Sequence, residues 1–218
     1  MSVESFLRAE WDNRNQFELF ESGWLLMLMV VMLGIVINYG ITNSSLSFKA
    51  TIYLFMLLIA FSINLVDNVW ERNPLVEAVG YGMSSSKAVL ALLAGVGLAL
   101  VLNVGALSLA TPLSAAMAGI SFADSFFIVV IAAFAEEALF RNTLLPTLQK
   151  TFGTVFGFVV STLLFGAFHY YAYSGNVFSI VLAMGYGAVF AFGNNFFKSS
   201  LFGYGGHAAN NLLQILIR

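Results

Sequence analysis

Two adjacent carboxylates and a guanidinium group lie inside an apolar stretch of this 218-residue chain. Glu136, Glu137 and Arg141 occur between Ser125 and about Leu148, where most other residues are apolar. Because an unpaired charge in an apolar interior is costly, charged residues in such a segment are expected to be paired or functional. This segment is therefore the first candidate for a site that carries chemistry.

Helical spacing separates the roles of the two glutamates. Glu137 and Arg141 are four residues apart, so on a helix they share a face and can form an ion pair. Glu136 is rotated by about 100° from Glu137, because a helix has 3.6 residues per turn. The spacing favours one structural carboxylate and one that is free to face a cavity. A packing cluster, an ion or proton transport site and a hydrolytic site all remain open at this stage.

The chain has only two histidines, and both lie in apolar segments. His169 follows Phe165 by one helical turn, and a buried histidine with a purely structural role would also fit this position. His207 precedes Asn211 by four residues and Gln214 by seven, which predicts a polar stripe on one face of an apolar helix. Such a stripe is expected to face the interior of a helix bundle, where it could also serve interhelical hydrogen bonding.

Glutamate, histidine and asparagine together are suited to hydrolysis. A buried glutamate beside a histidine can activate a water molecule as a general base. A neutral histidine and an asparagine amide can donate hydrogen bonds to a developing oxyanion. Two histidines and one carboxylate could instead hold a metal ion and leave one position open for water.

The composition predicts an all-α, polytopic transmembrane helix bundle. Hydrophobic residues make up 60% of the chain and charged residues 9%, against about 25% charged residues in soluble domains. We expect a polar, interfacial segment at 1–22 and a single transmembrane domain at 23–218, with its catalytic core at 125–218. About seven spans are predicted: Gly23 to about Ile41, Thr51–Trp70, Ala88 to about Thr111, Ser125 to about Leu148, Thr151 to about Tyr173, Asn176–Phe197 and Lys198–Arg218.

The last predicted segment differs from the others because glycines interrupt it. Gly203, Gly205 and Gly206 are expected to weaken the helix just before His207, so this segment is predicted to be short or broken. The chain contains no cysteine, which excludes a catalytic thiol and thiolate metal ligands. It also has no basic patch, so a nucleic acid is not an expected partner.

Three ordered motifs resemble those of the CPBP family, which includes the type II CAAX prenyl proteases and the abortive-infection membrane proteins. The order, the helical placement and the separations of the motifs all match that family, over roughly Ser125 to Arg218. The motifs are Glu136-Glu137-x-x-x-Arg141, Phe165-x-x-x-His169 and His207-x-x-x-Asn211.

This resemblance implies an intramembrane endopeptidase that acts on a membrane-associated protein or peptide. It implies that Glu136 and His169 activate the water, and that His207 and Asn211 form the oxyanion hole. Glu137, Arg141 and Phe165 would then support these residues. We expect no resident cofactor, because the chain has no His-Glu-x-x-His zinc helix and asparagine is a poor zinc ligand. Zinc held by the two histidines and a glutamate stays possible.

Other hypotheses remain beside the protease. The chain could be a non-catalytic immunity, chaperone or scaffold protein that retains the motifs, or a carrier of ions or protons that uses the buried carboxylates. It lacks the Gly-x-Ser-Gly motif of rhomboid-type proteases and the Gly-x-Gly-Asp motif of presenilin-type proteases. In every case we expect a multi-pass integral membrane protein, located in the cell membrane.

Overall fold

The structure is a computed structural model that describes residues 3–39, 45–71, 85–107, 121–170, 172–173, 175–197 and 199–216. Within these ranges, the side chains of residues 3–17, 37–39, 64–71, 85 and 104–107 lie outside the description. The charged side chains predicted to make residues 1–22 interfacial fall mostly in this part, as do the predicted ends of several spans.

The described residues form seven helices and no strand, in agreement with the predicted all-α class. One of them, α4, combines three α-helical and two π-helical stretches over residues 122–152. The others are continuous: α1 (Val3–Tyr39), α2 (Leu46–Glu71), α3 (Ser85–Leu107), α5 (Thr154–Phe168), α6 (Val177–Phe197) and α7 (Leu201–Leu216).

Four helices are long and apolar enough to cross a membrane, by length and composition. The qualifying stretches are Glu18–Val36 in α1, Leu46–Ile63 in α2, Ser86–Asn103 in α3 and Val177–Phe197 in α6. Large apolar side chains on their outer faces are exposed, among them Val101 and Phe192. A surface of this kind is suited to lipid rather than to water, so the protein is an integral membrane protein and the predicted count of seven spans is approximate.

Helices α1, α2, α4 and α5 share the larger apolar core. Met29 and Met32 of α1, Met56 of α2 and Leu139 and Phe140 of α4 are all buried in this core. At the start of α4, Ser121 caps the helix by accepting a hydrogen bond from the Asp124 amide. The Ser121 hydroxyl also donates to the Asp124 carboxylate, and with nearby Lys49 it holds the pKa of Asp124 below its usual range. Helix α2, which precedes the predicted catalytic core, is thereby tied to it.

Of the two forms predicted for the last segment, short or broken, the structure shows the short one. Helix α7 runs without interruption from Leu201 through the glycines, because these residues allow its backbone to pack directly on α3 rather than unwinding it. A Cβ on Gly95 of α3 would fall on the Phe202 carbonyl oxygen and lie 2.9 Å from the Gly206 amide nitrogen. Close backbone contact through small residues is a common basis of helix association in membranes. The segment is therefore short, as predicted, but not broken.

The contact between α3 and α7 can be tested at two glycines of the same helix. We expect Gly95→Ala to destabilise the fold by about 1–3 kcal/mol, because its methyl group must displace backbone atoms of α7. Gly97→Ala is the matched control, since a Cβ there meets no atom within 4 Å. Unfolding in detergent measures both variants, and equal stability of the two would contradict this account of the packing.

Candidate active site

The two glutamates lie in the regular α-helical stretch Ala133–Leu139, between the two π-helical stretches of α4. One π stretch, Phe127–Ala132, precedes it and the other, Phe140–Leu144, follows it. Both side chains are buried, with 3% of Glu136 and 1% of Glu137 exposed. Insertions of this type inside α-helices often occur at functional sites.

Side chains satisfy carbonyl groups along the irregular parts of α4. Asn211 of α7 donates from Nδ2 to the Ile128 carbonyl at 3.1 Å, and Ser161 of α5 donates to the Phe140 carbonyl at 3.0 Å. Pro146 follows the second π stretch and cannot donate to the carbonyl one turn earlier, which favours irregular backbone before it. Where no water is available, side chains from other helices must supply the hydrogen bonds that the irregular backbone does not make itself.

Three side chains from three other helices surround the Glu136 carboxylate. Tyr53 of α2 donates its hydroxyl to Oε1 at 3.0 Å. Oε2 lies 3.5 Å from His169 Nε2 and 3.6 Å from His207 Nε2, and it accepts no hydrogen bond from a described residue. One oxygen of Glu136 is thus fixed by Tyr53, and the other faces the two imidazole rings.

The partners of the histidines fix which ring nitrogen carries the hydrogen. His169 caps the end of α5, and its Nδ1 lies 2.8 Å from the Phe165 carbonyl oxygen, which can only accept. Nδ1 of His207 lies 3.2 Å from Oε1 of Glu137, and this carboxylate oxygen accepts the hydrogen bond from the ring in the same way. In the neutral form of each ring, Nε2 therefore has a free lone pair directed to the side of Glu136.

Glu137 and Arg141 form the predicted ion pair, with 3.5 Å between Oε2 and Nε. The carbon at the centre of the guanidinium lies 3.7 Å from the centroid of the Phe165 ring, a cation–π contact that partly compensates its burial. Phe165 also packs on His169, with 4.6 Å between the ring centroids. A single aromatic ring thus supports both the ion pair and one of the histidines.

The structure brings together Glu136, His169 and His207, and Glu137 and Phe165 contact the histidines of this group. Arg141 contacts Glu137 and Phe165 in turn. The predicted polar stripe of α7 does face inward, since His207, Asn211 and Gln214 are all buried. The structure assigns Asn211 a hydrogen bond to the α4 backbone rather than to Glu136 or a histidine. Its predicted role as an oxyanion donor stays a prediction.

Residues 118–213 match the family described as Type II CAAX prenyl endopeptidase Rce1-like. The match covers 96 of the 218 residues, and it supports the resemblance that the three motifs show to this family. The match contains Glu136, His169, His207 and Asn211, and it ends before the last residues of α7. Searches of curated proteins and of solved structures gave no match.

Sequence patterns did not indicate two polar contacts beside the Rce1-like segment. Tyr53 of α2 lies outside the matched residues, and its sequence neighbours are ordinary for a membrane span. Asn103 of α3 donates to Asn210 of α7 at 3.0 Å, next to Asn211. A lone buried asparagine in a span was a usable signal for Asn103, whereas tyrosine is too common in spans to single out Tyr53.

Glu136, His169 and His207 together have the side-chain types of a metal centre. One carboxylate oxygen of Glu136 and one ring nitrogen each of His169 and His207 lie within 4.8 Å of one another. Both histidines direct their other nitrogen to an acceptor, which is the usual arrangement of metal-binding histidines. The donor set therefore fits a zinc ion with an open position, as well as a metal-free site that holds water.

The contribution of the Glu137–Arg141 ion pair to the stability of the fold can be tested directly. Glu137→Ala leaves Arg141 buried without its carboxylate, so we expect a loss of about 3–5 kcal/mol in stability. The double variant Glu137→Ala with Arg141→Ala removes both charges and should be less destabilised than Glu137→Ala alone. Chemical denaturation in detergent provides the measurement, and a double variant that shows the full sum of two independent losses would contradict the pairing.

Proposed function

We propose that this protein is a CAAX-type intramembrane endopeptidase of the cell membrane. Its substrate would be a membrane-associated protein or peptide, and its reaction the hydrolysis of one peptide bond. The family match of residues 118–213 supports the reaction class. The observation that carries the proposal is the convergence of Glu136, His169 and His207 from three helices in an apolar bundle.

Three hydrogen-bond acceptors face one another at this site, which is suited to a water molecule. Oε2 of Glu136 and the two Nε2 atoms have no hydrogen to share among themselves in the neutral form of the rings. A water molecule bound between them would donate its hydrogens to two of them and keep a lone pair for attack. Water bound in this way is a better nucleophile, because its hydrogens are already hydrogen-bonded to basic atoms that can accept a proton.

The reaction then follows ordinary peptide hydrolysis. The water oxygen attacks the carbonyl carbon of the scissile bond while Glu136 takes a proton, and His169 keeps the carboxylate and the water in position. The tetrahedral intermediate collapses when the C–N bond breaks. Glu136 returns the proton to the leaving amine, so the enzyme ends in its starting state. Tyr53 holds Oε1 and thereby leaves Oε2 as the base.

To stabilise the oxyanion, His207 and Asn211 must each have an N–H group that is free to donate a hydrogen bond to it. His207 gives its Nδ1–H to Glu137, so donation from Nε2 requires a second proton on this ring. Asn211 uses one amide N–H on the Ile128 carbonyl, and its second N–H remains for the substrate oxygen.

A zinc-dependent version of the same protease is the second candidate. It is favoured by the histidine orientation, since both rings present Nε2 lone pairs next to a carboxylate. Glu136, His169 and His207 would hold the ion, and zinc would lower the pKa of a bound water and polarise the substrate carbonyl. The metal-free version needs no ligand beyond the residues present and is the one we propose.

The central test compares purified wild-type protein with Glu136→Gln on a fluorogenic peptide that carries a prenylated CAAX terminus. Loss of the carboxylate removes the base but keeps the shape, so we expect kcat/KM to fall by about 10²–10⁴-fold. His169→Ala should lower it by a similar factor. Folded Glu136→Gln that cleaves at the wild-type rate would overturn the glutamate mechanism.

Metal measurement separates the two versions of the mechanism. Elemental analysis of the purified wild-type protein, followed by cleavage assays after exhaustive chelation, should show retained activity without stoichiometric zinc. Activity that is lost on chelation and restored by zinc would instead establish the metalloprotease. The non-prenylated peptide of the same sequence tests whether the lipid is part of the substrate.

Tyr53 lies outside the matched residues, and replacing it with phenylalanine tests its contribution to the site with almost no change in shape. Tyr53→Phe keeps the ring that packs on Phe127 and Phe168 but removes the hydrogen bond to Glu136. Hydrogen bonds to charged groups contribute about 1.5–3 kcal/mol, so we expect kcat to fall roughly 10-fold to 100-fold with little change in KM. Tyr186→Phe, which removes a hydroxyl that is not bonded to either glutamate, should leave kcat near the wild-type value.

A further inference from the structure

The candidate active site is most open beside His169. The side chain of His169 is 14% exposed, whereas the side chains of Glu136 and His207 are each 5% exposed. The ion pair of Glu137 and Arg141 is more deeply buried still. A peptide that reaches Glu136 is therefore expected to approach past His169, and it would meet the residues that lie beside this ring.

The turn after α5 places Tyr173 beside His169. The Tyr173 amide donates a hydrogen bond to the His169 carbonyl at 3.2 Å, and the Tyr173 carbonyl accepts one from the Asn176 amide at 2.9 Å. The Asn176 side chain then accepts from the Ser179 amide at 3.1 Å, at the start of α6. Gly175 has a φ of +71°, which this tight turn requires and which other residues rarely adopt. The backbone of Tyr173 is thus tied to both neighbouring helices.

The Tyr173 ring stacks on the imidazole ring of His169. The two ring centroids are 5.8 Å apart and the planes differ by 19°, which is ordinary geometry for offset stacking. Phe165 packs on the same imidazole, and the His169 Nε2 atom lies 3.5 Å from Glu136 Oε2. Tyr173 itself is only partly buried. Its side chain therefore lies at the open side of the site, next to a residue that faces Glu136.

The hydroxyl of Tyr173 is a donor that the fold leaves unused. It makes no hydrogen bond to a described residue, although the hydroxyl of a partly buried tyrosine usually has a partner. The charge of Glu136 also acts on this phenol group, so the two side chains lie in the same part of the site. An unpaired donor beside the reacting residues is available to a bound peptide.

We propose that Tyr173 is a further catalytic residue, whose hydroxyl donates a hydrogen bond to the carbonyl oxygen of the scissile peptide bond. This inference rests on the proposed function, since it requires a peptide bond next to Glu136. The hydrogen bond strengthens as the carbonyl oxygen becomes an oxyanion, and the proton stays on Tyr173 throughout. Donation from His207 Nε2 needs a second proton on that ring, whereas a neutral tyrosine can always donate.

The kinetic test removes the hydroxyl and keeps the ring. Tyr173→Phe retains the stack on His169, so we expect kcat for the prenylated CAAX peptide to fall by about 10²-fold with little change in KM. Tyr186→Phe is the matched control, because this tyrosine packs on Phe190 of α6 and its loss of a hydroxyl should leave kcat near the wild-type value. Folded Tyr173→Phe with the wild-type kcat would overturn the proposal, since the ring alone would then suffice.

Photocrosslinking tests the contact with the peptide without any cleavage. The photoreactive residue p-benzoylphenylalanine replaces Tyr173 in the Glu136→Gln protein, which is then irradiated with the same CAAX peptide. We expect a crosslink several-fold stronger than with the photoreactive residue in place of Val101, which is 68% exposed on an apolar outer face of α3. Excess unlabelled peptide should suppress the crosslink at Tyr173, and size-exclusion profiles must match the unsubstituted protein.

Wild-type cleavage of the same peptide separates the two proposals. Cleavage by the wild-type protein, with no more crosslinking at Tyr173 than at Val101, would overturn the role of Tyr173 and leave the endopeptidase in place. A specific crosslink at Tyr173 without wild-type cleavage would keep the peptide contact and overturn its role as an oxyanion donor. Absence of both cleavage and crosslink would overturn both proposals for this peptide.

Discussion

Burial of two adjacent carboxylates with a single guanidinium beside them is the constraint on which this structure depends. Glu136 and Glu137 are adjacent, so regular helical geometry directs them to different neighbours, and one guanidinium cannot neutralise both. Arg141 and Phe165 stabilise Glu137, whereas Glu136 is left with a tyrosine hydroxyl and two imidazole rings. His207 contacts both carboxylates, so the Glu137–Arg141 ion pair and Glu136 belong to one electrostatic unit. A change at any of these side chains alters the charge environment of the others.

The scaffold is shaped to hold this unit. Helix α4 departs from α-helical geometry on both sides of the glutamates, and α5 and α7 supply the donors that those departures require. The polar residues of α5 and α7 thus have two uses, since Ser161 and Asn211 support the backbone of α4 while His169 and His207 face Glu136. The residues that support the α4 backbone and the residues that face Glu136 come from the same two segments of the chain, which leaves little freedom to vary one set without the other.

Much of the fold and site followed from residue type and spacing. The glutamate–arginine pair, the inward stripe on α7 and the all-helical membrane class depend on local periodicity, which a sequence displays directly. Contacts between segments that are distant in the sequence cannot be read from local periodicity. Tyr53 comes within 3.0 Å of Glu136 only through the packing of α2 on α4, and 83 residues separate the two in the chain. The glycines of α7 were misjudged for the same reason, because their helix is stabilised by the backbone of α3 rather than by its own propensity.

The two histidines belong to the shortest of the regular helices, since His169 caps the end of α5 and His207 lies within α7. Helix α5 has 15 residues and α7 has 16, which correspond to about 23 Å and 24 Å, while a bilayer's hydrocarbon core is about 30 Å thick. Lipid beside a short helix compresses to match it, at a cost that depends on chain length. The bilayer is therefore expected to be thinnest beside the glutamates, which shortens the path that a peptide bond must travel from the headgroup region. The thickness of the host membrane therefore affects how far the glutamates lie from the headgroup region.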